Sequence, residues 1–193
     1  MTYLPTIRLR QHLTDDQFLE FCEQNEGYKI ERDHTGLILM EPTFSETGYF
    51  NMKLSSKFFN WNDASALGYL FDSSTGFTLP NNSLRSPDVT WVSKTRWQTL
   101  TPEAKKGFAQ VCPDFVAELR SDSDRIRELK SKMKEYIDNG TQLAWLIDRS
   151  AQKVYIYRAD GSMDTIENFD TSLSGEDVLV GFEMDLGFLK EEL

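Results

Sequence analysis

The sequence predicts an α/β chain: a mixed β-sheet flanked by helices (an α+β mixed sheet), preceded by an N-terminal helix and a β-hairpin. Three observations predict it. The succession strand, helix, strand from Phe115 to Leu146 has the form of a crossover unit. Thr14-Asp15-Asp16-Gln17 reads as a capping box, with Phe18, Leu19, Phe21 and Cys22 following at helical spacing. Tyr28–Arg32 and Leu37–Met40 flank Asp33-His34-Thr35-Gly36, a glycine-bearing turn between two extended runs.

Each element follows in order. The first helix runs from about Asp15 to Asn25, and the hairpin follows it. After a loop from Pro42 to Thr47, a helix over Tyr49–Leu67 sets Phe50, Leu54, Phe58 and Trp61 on one face. Tyr69–Asp72 and Gly76–Leu79 read as short strands around the turn Ser73–Gly76. Asp88–Val92 is the next strand, and Lys94–Phe108, interrupted by Pro102, reads as short helices or turns. Phe115–Arg120 is a buried strand, after which Ser121–Asp124 offers cap residues to a helix ending at Asn139, with Gly140 as its stop. Leu143–Ile147 and Lys153–Arg158 are strands joined by Asp148–Ala151, and a third extends over Met163–Asn168. The tail from Leu173 to Leu193 ends in a short turn or helix. No repeat, low-complexity tract or linker interrupts the chain, so residues 1–193 are expected to form one domain.

Bulk properties narrow the function. Cys22 and Cys112 are far apart and lack metal-type spacing, which suits reduced, packed thiols. No apolar stretch approaches the roughly 20 residues that span a membrane. The first residues lack the basic-then-apolar order of a signal peptide, so the expected compartment is cytoplasmic. A net charge of −10 argues against a passive nucleic-acid binder, since neutralising phosphates normally dominates such affinity. Charge is nonetheless polarised: Arg120 to Lys134 holds six basic residues against three acids, so a cleft can be positive while the whole is negative.

Chemistry concentrates between Ser86 and Tyr157. Asp88 opens one apolar run, Glu118 interrupts another, and a basic amphipathic helix follows at once. An ion inside an apolar strand costs several kcal/mol unless a partner charge or a metal answers it. Alternation puts Val116, Glu118 and Arg120 on one face of their strand, and Asp88 with Thr90 and Val92 on one face of theirs. If the two strands are neighbours, both carboxylates converge on one cation. Magnesium suits them, being hard and held typically by one or two carboxylates plus water and phosphate oxygens. On the helix, Ile126, Leu129, Met133 and Ile137 form the apolar stripe, with Lys132 on one border and Lys130 on the other. Helical geometry permits either lysine.

Ser86-Pro-Asp88-Val, Cys112-Pro-Asp-Phe-Val-Ala-Glu118-Leu-Arg-Ser121, Lys132-Met-x-x-Tyr136-x-x-Asn139-Gly140 and Trp145-Leu-Ile-Asp148 together resemble the Uma-type restriction-endonuclease family, within the wider PD-(D/E)xK nuclease superfamily. The resemblance extends to Glu46-Thr-Gly48, Phe71–Gly76 and Leu173–Val178, and so covers most of the chain. It implies a restriction-endonuclease-like core and an endonuclease using magnesium, or manganese, on nucleic acid, DNA foremost. It implies Asp88 and Glu118 as metal and catalytic carboxylates, and it favours Lys132 over Lys130 as the catalytic lysine. The superfamily's usual lysine position, two residues after the glutamate, holds Arg120 here; arginine can clamp a substrate phosphate but is a poor proton donor or acceptor near neutral pH. Glu46 is a further candidate acid.

Other readings compete. Taken singly, Asp88 suits a strand start, Glu118 an ion pair with Arg120 or Arg125, and Lys132 a solvated helix position. Asp114 reads as a strand start. His12 and His34 lie in a leader and a turn, and the tryptophans suit core or interface, with base stacking by Trp91 or Trp97 a minor alternative. Ser73, Ser74 and Ser121 lack a suitably placed histidine, which speaks against a Ser-His-Asp hydrolase. A catalytically silent relative serving as a binding or interaction module is the main alternative, and a two-carboxylate glycosidase a weaker one. Cutting both strands of a duplex needs two sites or two encounters, which makes a homodimer a working expectation.

Overall fold

The structure, a computed structural model, describes residues 7–10, 12–25, 28–41 and 44–192. The capping box forms as read. Gln17 N–H donates to Thr14 Oγ1 at 3.3 Å, the Thr14 N–H donates to the Gln17 side chain at 3.0 Å, and helix α1 (Asp15–Gln24) starts there. Its buried residue, Phe18, packs on a sheet that begins with a strand sequence reading left in the leader, β1 (Ile7–Arg10). The hairpin β2 (Lys29–Arg32) and β3 (Leu37–Glu41) completes this side, turning through Gly36 at φ 83°, a conformation that favours glycine. The Asp33 carboxylate holds the turn by accepting the N–H groups of Thr35 and Leu37 at 2.8 and 3.0 Å.

Helix α2 (Ser45–Ser65) begins four residues before the expected Tyr49, so Glu46 stands in its first turn, where the helix dipole favours an acid. Part of the expected Pro42–Thr47 loop, Pro42 and Thr43, lies outside the described residues. Beyond the left-handed Ala66 (φ 52°) comes β4 (Gly68–Asp72). The two short strands read around Ser73–Gly76 do not pair with each other. Instead β4 joins one sheet, while β5 (Phe77–Thr78) and β6 (Leu84–Arg85) extend the hairpin sheet in the order β1-β3-β2-β6-β5.

The second sheet is the platform of the site. Strands β7 (Val89–Ser93), β8 (Phe115–Leu119), β9 (Leu143–Asp148), β10 (Lys153–Arg158) and β11 (Met163–Ile166) assemble with β4 in the order β11-β10-β9-β8-β7-β4. Of the expected short helices after β7, α3 (Lys94–Gln98) forms and the segment beyond it turns. Only β8 and β9 pair in parallel among the described ladders of this sheet, and α4 (Ile126–Asp138) makes their crossover. Ser121–Asp124 does not cap α4: the Asp124 carboxylate instead accepts the Ser121 N–H at 2.7 Å and closes its own turn, leaving Arg125 as the cap position. Past the helix Gly140 takes φ 112°. The tail contributes a hairpin, β12 (Ser172–Ser174) with β13 (Glu183–Asp185), and a short 3-10 turn over Gly187–Lys190.

Side-chain alternation divides the core. Phe115, Ala117 and Leu119 of β8 pack with Phe50, Leu54 and Phe58 of α2 and with Phe182, which stacks on Phe58 at 4.4 Å. Val116 faces the other way, onto Met133 and Tyr136 of α4. Glu118 therefore belongs to the α4 side. Trp91 and Trp145 are buried, Trp91 donating to Asn62 at 2.8 Å, so Trp91 is a core residue and has no exposed face for a base. Cys22 and Cys112 are free thiols, the latter buried against Thr141. Among the described residues no helix is long and apolar enough to cross a membrane.

Candidate active site

Val89 lies opposite Ala117 at the end of the antiparallel β7–β8 ladder; the strand expected from Asp88 starts at Val89, and Asp88 immediately precedes it, one residue beyond that pair, as Glu118 lies one residue beyond Ala117. The backbone fixes the first of them: Asp88 Oδ2 accepts the Leu119 N–H at 2.8 Å. Helix α4 fixes the second. The Lys132 ammonium stands 2.7 Å from Glu118 Oε1, and one turn later the Tyr136 hydroxyl donates to the same oxygen at 2.9 Å. Lys132 reaches this point because its stem runs along the border of the buried stripe. Lys130, on the opposite border, lies instead over the Tyr155 ring at 3.7 Å. Asp88, Glu118 and Lys132 thus come together, and Lys130 does not join them.

The hairpin sheet supplies the other half of the centre. Lys29 and Glu31 share the face of β2 opposite Ile30, whose side chain packs on the α1 side. Lys29 Nζ donates to Asp88 Oδ1 at 2.9 Å and stands 4.0 Å from Glu118 Oε2. Glu31 Oε1 takes Lys132 at 2.8 Å and the Ser86 N–H at 2.9 Å, while its other oxygen takes Arg85 at 3.2 Å. Arg85 in turn bridges to Glu135 of α4 at 2.5 Å. The three central acids are nearly closed to solvent, at 6% for Asp88, 3% for Glu118 and 5% for Glu31, so each needs the cations it has.

Sequence reading did not single out Lys29, Glu31, Arg85 or Glu135. The one available signal was the Lys29, Glu31 pair at alternate positions of a strand whose other face carries Ile30.

Electrostatics follow from burial and pairing. Burial pushes the Glu118 carboxyl up to about 7, against the pull of Lys132 and Lys29. Glu31 is equally buried, yet Lys132, Arg85 and Lys29 together bring it down to about 2. Burial works against the Lys132 and Lys29 ammoniums too, but Glu118 and Glu31 around one, and Asp88 and Glu118 around the other, hold both above the ordinary lysine value. Burial and the adjacent carboxylates raise the Tyr136 phenol well above its usual range, so it remains a donor.

Arg120 and Glu46 stand elsewhere. Strand β8 ends at Leu119, so the alternation that would aim Arg120 beside Glu118 stops one residue short. Arg120 pairs with Asp148 at 2.9 Å, and Glu46 with Arg149 at 2.6 Å. Both line a pocket of about 290 Å³ that shares Phe44, Thr47, Leu119 and Ser121 with a larger cavity. That cavity, of about 770 Å³, contains Asp88, Glu118, Lys29, Glu31 and Lys132, and Arg125 and Lys134 of α4 line it too. His34 also lines it, 3.5 Å from Glu135, whereas Asp114 pairs with Arg96 at the far end of β8.

The donors suit a hard divalent cation. Asp88 Oδ1 and Glu118 Oε2 both face the Lys29 ammonium, so a positive charge is already stabilised between them. Among the described residues no group of three or more His, Cys, Asp or Glu side chains is arranged to hold a metal ion by itself, so the protein offers the two carboxylates alone. A cation here would complete its shell with water and substrate oxygens, as magnesium commonly does.

The likeness to known proteins agrees with this architecture. A crystal structure of a putative nuclease belonging to DUF820 from Anabaena variabilis superposes with a TM-score of 0.75, covering 92% of this chain and 97% of the other at 18% identity, which establishes a shared fold. Comparison with curated proteins finds no match. The Uma2 family model, described as putative restriction endonuclease, matches residues 15–187, and the chain belongs to that family.

Proposed function

We propose that this protein is a magnesium-dependent endonuclease, with manganese able to substitute, that hydrolyses phosphodiester bonds of nucleic acid, DNA in the first instance. One observation carries the reading: two buried carboxylates, Asp88 just before β7 and Glu118 on β8, share the Lys29 ammonium at 2.9 and 4.0 Å, with the Lys132 ammonium 2.7 Å from the second. Asp88 Oδ1 and Glu118 Oε2 are the oxygens to hold the cation. When bound, it supplies Lewis-acid charge at a phosphoryl oxygen and lowers the pKa of an attacking water. Lys132, pinned between Glu118 and Glu31, answers the charge that grows on the non-bridging oxygens as the phosphorus becomes five-coordinate. Tyr136 and Leu119 N–H hold the two carboxylates in place while this happens. Arg120, beside the smaller pocket, is suited to a flanking phosphate. Residues 1–193 act as one restriction-endonuclease-like domain in the cytoplasm, and a homodimer provides the two centres that a duplex cut requires.

Incubation with supercoiled plasmid and magnesium tests the reading. Cleavage should appear, vanish with chelator, and be lost in Asp88→Asn and Glu118→Gln at unchanged fold by circular dichroism. A second reading, a silent binding module, has its own support: each buried acid of the centre already has an internal cation partner. Magnesium or manganese binding without cleavage of plasmid, single-stranded DNA or RNA would favour it.

A further inference from the structure

We propose that Lys29 is a displaceable internal counter-ion that couples cation entry to the binding of a phosphodiester, an inference that rests on the nuclease reading above. Only two carboxylate oxygens at the centre remain available to a cation. Asp88 Oδ2 is committed to the Leu119 N–H, and Glu118 Oε1 to Lys132 and Tyr136. The oxygens left to face a cation are Asp88 Oδ1 and Glu118 Oε2, and these are the two that the Lys29 ammonium approaches, at 2.9 and 4.0 Å. A divalent ion bound by both carboxylates must take the ground Lys29 now holds.

The origin of Lys29 makes such an exchange feasible. Asp88, Glu118 and Lys132 are carried by the six-stranded sheet and its crossover helix, whereas Lys29 comes from the hairpin sheet on a flexible four-carbon stem. Charge balance then gives the exchange a direction. With all four ionised, the carboxylates of Glu31, Asp88, Glu118 and Glu135 meet three cations (Lys29, Lys132, Arg85) in this network, a deficit of one positive charge. A divalent cation overshoots by one, and a phosphodiester, carrying a single negative charge, restores neutrality. The displaced ammonium finds its new partner in that diester's oxygens. Each ligand therefore tightens the other, by the same factor in both directions.

Manganese titration followed by the paramagnetic resonance of the free ion tests this, on wild type, Lys29→Met and Lys29→Arg, with and without a phosphorothioate duplex oligonucleotide. Lys29→Met should bind manganese at least about tenfold more tightly than wild type, with Lys29→Arg near wild type. The oligonucleotide should tighten manganese binding at least about fivefold in wild type and by less than about twofold in Lys29→Met. A footprint on wild type needs no variant: acetylation of Lys29, quantified by mass spectrometry, should rise several-fold on saturation with manganese. Manganese affinity in Lys29→Met no greater than wild type, an oligonucleotide effect that survives in it, or unchanged acetylation would overturn the coupling. If wild type binds manganese and cuts DNA under those results, the nuclease reading stands and this inference alone fails. If no protein binds manganese, both fall.

Discussion

Tyr136 and Glu118 are joined by a hydrogen bond of 2.9 Å in which the phenol donates to the oxygen that also receives Lys132. Residues 132 and 136 lie one helical turn apart, so a single face of α4 delivers both donors to one carboxylate. Two donors on Oε1 leave Oε2 turned toward Lys29. Tyr136 is thus a positioning residue, acting on the centre through Glu118. In Tyr136→Phe the buried oxygen loses a donor, a loss of about 1.5–3 kcal/mol in stability for a charged acceptor. Manganese affinity should fall roughly 10–100-fold, as is usual when an outer partner of a metal ligand is removed. Calorimetric titration beside thermal unfolding separates the two effects; an unchanged manganese Kd in a folded variant would show that Tyr136 only fills space.

Glu31 makes the acid stability of the fold local to the centre. Its carboxyl sits at about 2 in the folded protein, against 4.5 ordinarily. A depressed carboxylate contributes stability that is complete above the unfolded value and disappears as pH falls through the folded one, here between about 4.5 and 2. At 1.36 kcal/mol per unit, that contribution is about 3 kcal/mol. Urea unfolding of wild type and Glu31→Gln should therefore differ most near pH 6, with the gap shrinking by about 3 kcal/mol toward pH 2. A gap that stays constant over that range would mean Glu31 is not held by Lys132 and Arg85 as described.

How much of this was legible beforehand differs between the two sheets. Strands β7, β8 and β9 and helix α4 announced themselves through apolar runs and a regular stripe, and Glu118 stood out because a charge interrupted such a run. Lys29, Glu31 and Arg85 sit in short strands already rich in charge, where composition suggests solvent. Their burial comes from one sheet closing over another, a long-range fact that no local period encodes. Arg120 misses the Glu118 side for a smaller reason: strand periodicity was extended one residue past the true end at Leu119, and Asp148 at the end of β9 took the guanidinium. The caps expected of Ser121–Asp124 went the same way, because Asp124 satisfies the Ser121 N–H before α4 begins. Of the two-residue strands, β5 falls inside the expected Gly76–Leu79 strand, whereas β6 is too short to carry a pattern at all.

Glu118 should make cation binding steeply dependent on pH. Burial holds its carboxyl near 7 in the metal-free protein, so below that pH a proton occupies the group that must act as ligand. Manganese affinity should climb about tenfold per unit between pH 5.5 and 7 and level off by pH 8. Stability runs the opposite way. A carboxyl raised on folding contributes stability that is fully present below about 4.5 and is lost as pH rises through about 7, because the ionised form is the one that burial penalises. Glu118→Gln, which cannot ionise, should accordingly gain on wild type as pH rises from 5 to 8, by about 3 kcal/mol. The two measurements must move together: a manganese affinity flat across this range, alongside a pH-independent stability difference, would show that Glu118 is already fully ionised at pH 5.5 and that its pairing with Lys132 and Lys29 outweighs its burial.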